Sequence, residues 1–148
     1  MKNSGPPIII GSDHAAFPMK EAVKKFLSDK GIEVTDAGTN GPESVDYSDY
    51  GIKVASAVSS GEFDRGILLC GTGLGMSMVA NRFAHVRAAL CGDIFAARMS
   101  RLHNNANILV LGGRVIGEAL AMEIVKTWIE TEFEGGRHLA RLDKFDKI

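Results

Sequence analysis

Cysteine is scarce: Cys70 and Cys91 are the only two in 148 residues. That is too few for a disulfide framework, and a reducing compartment keeps such residues as thiols, so the expected location is cytoplasmic. Long apolar runs are missing too. None approaches the ~20 residues that cross a bilayer, which excludes a transmembrane-helix protein. The N-terminal stretch MKNSGPPIII enters an apolar run too short for a signal-peptide core, with no small-residue cleavage site after it, so no leader is expected. Neither sign of charge dominates: 17 Lys and Arg stand against 18 Asp and Glu, a net charge of −1. Nothing electrostatic therefore argues for nucleic acid or an anionic membrane. A metal site would need three or four ligands at a recognisable spacing. Cys70, His14 and His103 are far apart and match no such pattern, so neither metal nor other cofactor is expected. Internal repeats and low-complexity linkers are also absent.

What is present has the composition of an ordinary globular domain, 45% hydrophobic and 24% charged, at the common size of one domain. Residues 1–148 are therefore expected to form a single unit, with 134–148 as a C-terminal tail. Short apolar runs alternate with longer amphipathic ones. Strands are expected at Ile8–Ile10 with Gly11, Ile32–Asp36, Gly66–Cys70, Val86–Cys91 and Asn107–Leu111. Helices are expected at Phe17–Lys30, Tyr50–Ser60, Leu74–Phe83, Asp93–Leu102 and Gly117–Phe133, the first two ended by glycine. Residues 37–49, rich in Gly, Asn, Pro and Ser, form a loop. Strand–helix alternation five times over predicts a three-layer α/β/α sandwich around a five-stranded parallel sheet, Rossmann-like in architecture.

In such sheets ligands bind beyond the carboxyl ends of the strands, and the chemically useful residues collect there. The first strand runs into Asp13-His14, the third into CGTGLG over residues 70–75, and the fifth into Gly112-Gly113-Arg114. The glycine turn lacks the lysine of a P-loop, and Met76 stands where a dinucleotide fingerprint needs glycine, so nucleotide binding is disfavoured. Backbone N–H groups in such a turn suit an oxyanion as well as a phosphate; the plain alternative is a tight turn packed for its own sake. Cys70, beside a helix N-terminus that favours the thiolate, suits a nucleophile or general base. It is otherwise a small buried hydrophobe, as Cys91 is expected to be. Asp13 either orients His14 or caps the next helix. Arg137 and Arg141, spaced i, i+4 beside His138, suit a phosphate monoester if that segment is helical, and otherwise form a solvated basic end. His103 and Asn104 end the fourth helix, at the wrong edge of the sheet for the other candidates unless a second subunit presents them.

Five stretches in order, GSDHAA, DYSDY, CGTGLG followed by ANR, RLHNNANILVLGGR and EGGRHLAR, resemble the type B ribose-5-phosphate isomerases and their galactose-6-phosphate and allose-6-phosphate relatives. The likeness runs from Gly11 to Arg141. It implies a metal-free aldose–ketose isomerase of phosphorylated sugars, central to pentose phosphate metabolism. It implies Cys70 as the base and the N–H groups of Gly71, Gly73 and Gly75 as the cup for an enediolate oxygen. Thr72 would assist proton movement between sugar oxygens, and His103 would open the furanose ring. Asp13 and Asn104 would contact sugar hydroxyls. His14, Arg114, Arg137, His138 and Arg141 would line the phosphate end, and Tyr47 the pocket. Some relatives carry a glutamate at the position of Met76 in place of the cysteine, so this chain resembles the cysteine-using branch. The family forms homodimers or homotetramers with shared sites, which would bring His103 and the basic tail to a partner's site. A six-carbon sugar phosphate and a non-catalytic phosphosugar-binding protein are the alternatives. The intact set of Cys70, Thr72 and His103 argues against a mere binder.

Overall fold

Apolar runs without polar alternation must be covered on both faces, and three of them form the centre of one five-stranded parallel sheet. The computed structural model describes residues 5–148; the first four residues of the N-terminal stretch read as carrying no leader lie outside it. The strands are β1 (Ile8–Ser12), β2 (Val34–Asp36), β3 (Arg65–Cys70), β4 (Ala88–Leu90) and β5 (Ile108–Gly112), in the order β2-β1-β3-β5-β4. Six helices are found among the described residues: α1 (Phe17–Asp29), α2 (Tyr47–Ser59), α3 (Leu74–Ala80), α4 (Ile94–Leu102), α5 (Glu118–Glu130) and α6 (Arg137–Asp146).

Right-handed crossovers decide which helix covers which face. The connection from β1 steps one way to β2, and the next steps back across β1 to β3. Helices α1, α4 and α5 therefore share one face, where Val23, Leu27, Ala97, Ile124 and Trp128 pack on Ile8, Ile10, Ile67, Leu69 and Leu111. Helices α2 and α3 share the other, where Val54, Val58, Met76 and Ala80 pack on Ile9, Leu68, Cys70 and Val110. Alternate strand residues thus serve opposite cores, and each fully buried Leu, Ile or Val contributes about 1.5–3 kcal/mol. The reversal of direction between β1 and β3 opens a cleft at their carboxyl ends. No helix among the described residues is long and apolar enough to cross a membrane.

The expected sandwich and its five-stranded parallel sheet are present, with corrections at the element ends. Helix α2 starts at Tyr47 rather than Tyr50. Its first turn, Tyr-Ser-Asp, has no apolar period to announce it, but Asp49 there complements the helix dipole. Helix α3 stops at Ala80, short of Phe83, and β4 keeps only Ala88–Leu90 of the expected run. The larger change is in the tail, which forms α6 against its own chain. His138 and Leu142, one turn apart, are buried. The Glu134 N–H donates to the Leu102 carbonyl at 3.1 Å, and Arg87 pairs with Asp146 at 3.2 Å.

Candidate active site

The carboxyl end of the sheet is assembled by backbone bonds. At the end of β1, the Ser12 N–H donates to the Gly38 carbonyl and the Ser12 carbonyl accepts from Thr39, both at 2.8 Å. The Asp13 N–H reaches the Leu69 carbonyl of β3 at 3.3 Å, so the two strand ends are tied together. Asp13 is 7% exposed, and its Oδ1 accepts the Ala16 N–H at 3.1 Å. It closes the turn ahead of α1, and its second oxygen has no hydrogen-bond partner among the described residues; the N-cap position belongs to Ala16. His14 Nδ1 accepts the Val45 N–H at 3.1 Å. A neutral His14 ring therefore carries its proton on Nε2, as a donor.

The glycine turn sits where β3 meets β5. Gly113 and Arg114 donate to the carbonyls of Cys70 and Gly71 at 2.9 and 2.8 Å. The fit is close enough that a Cβ on Gly112 would stand 2.5 Å from the Thr72 carbonyl oxygen. Gly73 has φ +80°, which only glycine adopts readily. A Cβ on Gly75 would stand 2.5 Å from ring carbons of Tyr47, and one on Gly71 would lie 3.4 Å from Arg114 Cδ. Tyr47 and Arg114 thus flank the turn on either side. Cys70 is 5% exposed, and its Sγ accepts the Gly73 N–H at 3.2 Å. The Leu74 N–H donates to Thr72 Oγ1 at 3.2 Å. The N–H groups of Gly71, Thr72 and Gly75 have no partner among the described residues. By contrast Cys91 lies in the core, where burial pushes its thiol up to about 11.

Behind this end stands a clamp that sequence reasoning missed. Lys20 is 0% exposed. Its Nζ donates to both Asp36 oxygens at 2.6 and 2.7 Å and to the Thr39 carbonyl at 2.6 Å. Lys24 adds a bond to Asp36 at 2.8 Å, and Asp36 Oδ1 accepts the Gly38 N–H at 2.8 Å. Burial pushes the Asp36 carboxyl up, but the bonds from Lys20, Lys24 and Gly38 outweigh it and hold it below 3.8. The clamp fixes the segment whose backbone bonds Ser12, one residue before Asp13. Its signal in the sequence was a lysine on the apolar stripe of α1, among Met19, Val23 and Leu27.

The remaining candidates gather elsewhere. His103 ends α4, and its ring stacks on His138 of α6 with centroids 4.3 Å apart and planes 19° from parallel. His138 is 4% exposed, and its Nε2 has no hydrogen-bond partner among the described residues. Burial, the His103 ring and the Arg137 guanidinium hold His138 below its ordinary value. Arg137 and Arg141 are exposed, one turn apart on α6. Asn104 lines a groove of about 600 Å³ with Arg87, Phe145 and Asp146. This cluster lies at the amino end of β5 and the Cys70 cluster at its carboxyl end. The five residues between measure roughly 13–16 Å. The sequence-predicted residues therefore form two groups: Asp13, His14, Tyr47, Cys70–Gly75 and Arg114 in one, and His103, Asn104, Arg137, His138 and Arg141 in the other.

Comparison with known proteins agrees over the full span. The family model described as Ribose/Galactose Isomerase matches residues 8–145. Ribose-5-phosphate isomerase B of Escherichia coli is 45% identical over 141 residues, covering 95% of each chain. D-erythrulose-4-phosphate isomerase of Pectobacterium atrosepticum is 44% identical over 138 residues, covering 93% of this chain and 91% of that one. A crystal structure of ribose 5-phosphate isomerase from Thermotoga maritima superposes with a TM-score of 0.94 at 58% identity, covering 97% of this chain and 99% of that one.

Proposed function

The chain belongs to the ribose/galactose isomerase family, and on that premise we propose that it interconverts ribose 5-phosphate and ribulose 5-phosphate, with Cys70 as the base. The observation that carries this reading is the placement of the thiol. Its sulfur already accepts one N–H of the glycine turn, and three further N–H groups beside it stand without partners among the described residues.

Cys70 takes the proton from C2 of the open-chain aldose and returns it to C1. The charge left behind resides on oxygen, as a cis-enediolate. N–H donors aimed at that oxygen stabilise the transition state, and losing one donor costs about 3–4 kcal/mol of barrier. The base contributes ~10²–10⁴-fold. Thr72 moves the proton between the two sugar oxygens. No step of this route is assigned to a metal. Asp13 and Asn104 bind hydroxyls, and Tyr47 forms a wall. His14, Arg114, Arg137, His138 and Arg141 hold the phosphate, whose binding energy orients the reacting carbons.

His103 opens the furanose ring, and for that it must come from a second copy of the chain. Cys70 and His103 face opposite ends of one sheet, so a complete site in a homodimer or homotetramer takes one cluster from each of two chains. Leu74, Met78, Leu90 and Phe95 support this: all four are apolar and exposed on α3, β4 and α4 around the turn.

The test is conversion of ribose 5-phosphate by the purified chain, wild type beside Cys70→Ala, in the presence of a chelator. Activity that survives chelation and is lost in the variant is the expected result. An inactive wild type overturns the pentose assignment. The likeness to an isomerase named for a four-carbon sugar phosphate favours one second reading, the same chemistry on a shorter chain. Four-, five- and six-carbon phosphates should be compared by kcat/KM.

A further inference from the structure

We propose that His103, Glu134 and His138 form a binding site for a zinc-class divalent cation, and that occupation of this site inhibits the isomerase. One ligand atom from each residue lies within 4.8 Å of the other two. Ligands around a tetrahedral zinc, each at about 2.0–2.1 Å, stand roughly 3.3 Å apart. The three groups are thus within a side-chain rotation of coordinating one ion, with a fourth position left to water.

The backbone holds them there. The Glu134 N–H bonds the Leu102 carbonyl at 3.1 Å, which fixes Glu134 next to His103 in space. Gly135 and Gly136, with φ +70° and +56°, then turn the chain sharply so that His138 comes back beneath both. The Glu134 carboxylate is half exposed and free to swing inward, and its Oε1 stands 3.7 Å from His138 Nε2, too far for a hydrogen bond. That Nε2 is buried without a hydrogen-bond partner among the described residues. A buried polar atom of this kind is destabilising unless something satisfies it, and a cation does so while also engaging His103 and Glu134. Arg137 and Arg141 on the same helix oppose a cation, and the Glu134 carboxylate offsets part of that. Nitrogen ligands with one carboxylate favour zinc-class ions over magnesium or calcium.

Inhibition rests on the ring-opening role given to His103 above; binding does not. An imidazole that ligates a metal no longer exchanges a proton at that nitrogen, so ring opening stops while the Cys70 cluster stays intact.

The experiment is a titration of the full chain with Co²⁺ as a spectroscopic stand-in for zinc, wild type beside Glu134→Gln, followed by zinc inhibition of both. The expected result is one Co²⁺ per chain, visible bands without a thiolate charge-transfer band, and a Kd at least about tenfold weaker in Glu134→Gln. The metal-free activity of that variant should match wild type, and its zinc inhibition should shift by the same factor as its Kd. Equal Co²⁺ affinity in the two proteins, a thiolate band from Cys70, or Glu134-dependent binding that leaves turnover untouched would each overturn the proposal. A wild type inactive on ribose 5-phosphate is seen in the metal-free assay, and the titration still decides the site.

Discussion

One thiol ends β3 and the other directly follows β4, and they differ in what surrounds the sulfur. Cys70 Sγ accepts a backbone N–H at the mouth of the cleft, whereas Cys91 is enclosed by the α1/α4/α5 core. Cys70→Ala should therefore lower kcat by ~10²–10⁴-fold with KM nearly unchanged, because it removes an interaction made in the transition state. Cys91→Ala should leave kcat alone and lower stability by about 1 kcal/mol through a small cavity. Steady-state kinetics and urea unfolding of the two variants separate these outcomes. His103→Ala should slow turnover of the cyclic sugar more than that of an open-chain analogue; equal losses would remove its ring-opening role.

Among the elements, α1 does more than cover the sheet. It carries Lys20, which ties Asp36 and Thr39 to the end of β1. Lys20→Met should break this pair and leave Asp36 with Lys24 and the Gly38 N–H, costing about 3 kcal/mol, or roughly 6–12 °C in Tm for a domain of this size. It should also raise KM, because Asp13 and His14 lose their support. Asp36 adds a pH signature. Its folded value lies below the ordinary 3.8, so its contribution is present above that value and is lost as pH falls through it. The stability gap between wild type and Asp36→Asn should be constant from about pH 7 to 5 and narrow below about pH 4, as urea midpoints would reveal.

The same scale explains what could be read from the sequence. β1, β3 and β5 were legible because each is an unbroken apolar run stopped by glycine or a polar residue, and the candidates at their ends followed from that. Helix α6 was not, because only Leu139, Leu142 and Phe145 mark it and just Leu142 is buried. The start of α2 is polar and carries no period. Glu134 gave no sign, since its meeting with His103 depends on two left-handed glycines and a bond to Leu102.

Taken as a whole molecule, the chain carries its two groups of candidate residues at opposite ends of the sheet. If two chains complete each site, Cys70→Ala and His103→Ala subunits are complementary. A mixed dimer contains one intact pair and one doubly defective pair. Random reassembly of equal amounts makes half the dimers mixed, so about a quarter of wild-type activity should return. Two inactive parents that stay inactive after mixing would place both residues in one chain's site. Dilution below the dimer's dissociation constant should likewise reduce specific activity.

Trp128 is the only tryptophan, fully buried, with the guanidinium groups of Arg65 and Arg101 at 5.4 and 6.0 Å from its ring. Intrinsic fluorescence therefore reports a single, known position. Emission should be blue-shifted in the folded protein and move to the red on unfolding, with no second indole to confuse the signal. Because Arg101 lies two residues from His103, the same indole is a built-in optical reporter of events at the His103 end of the sheet.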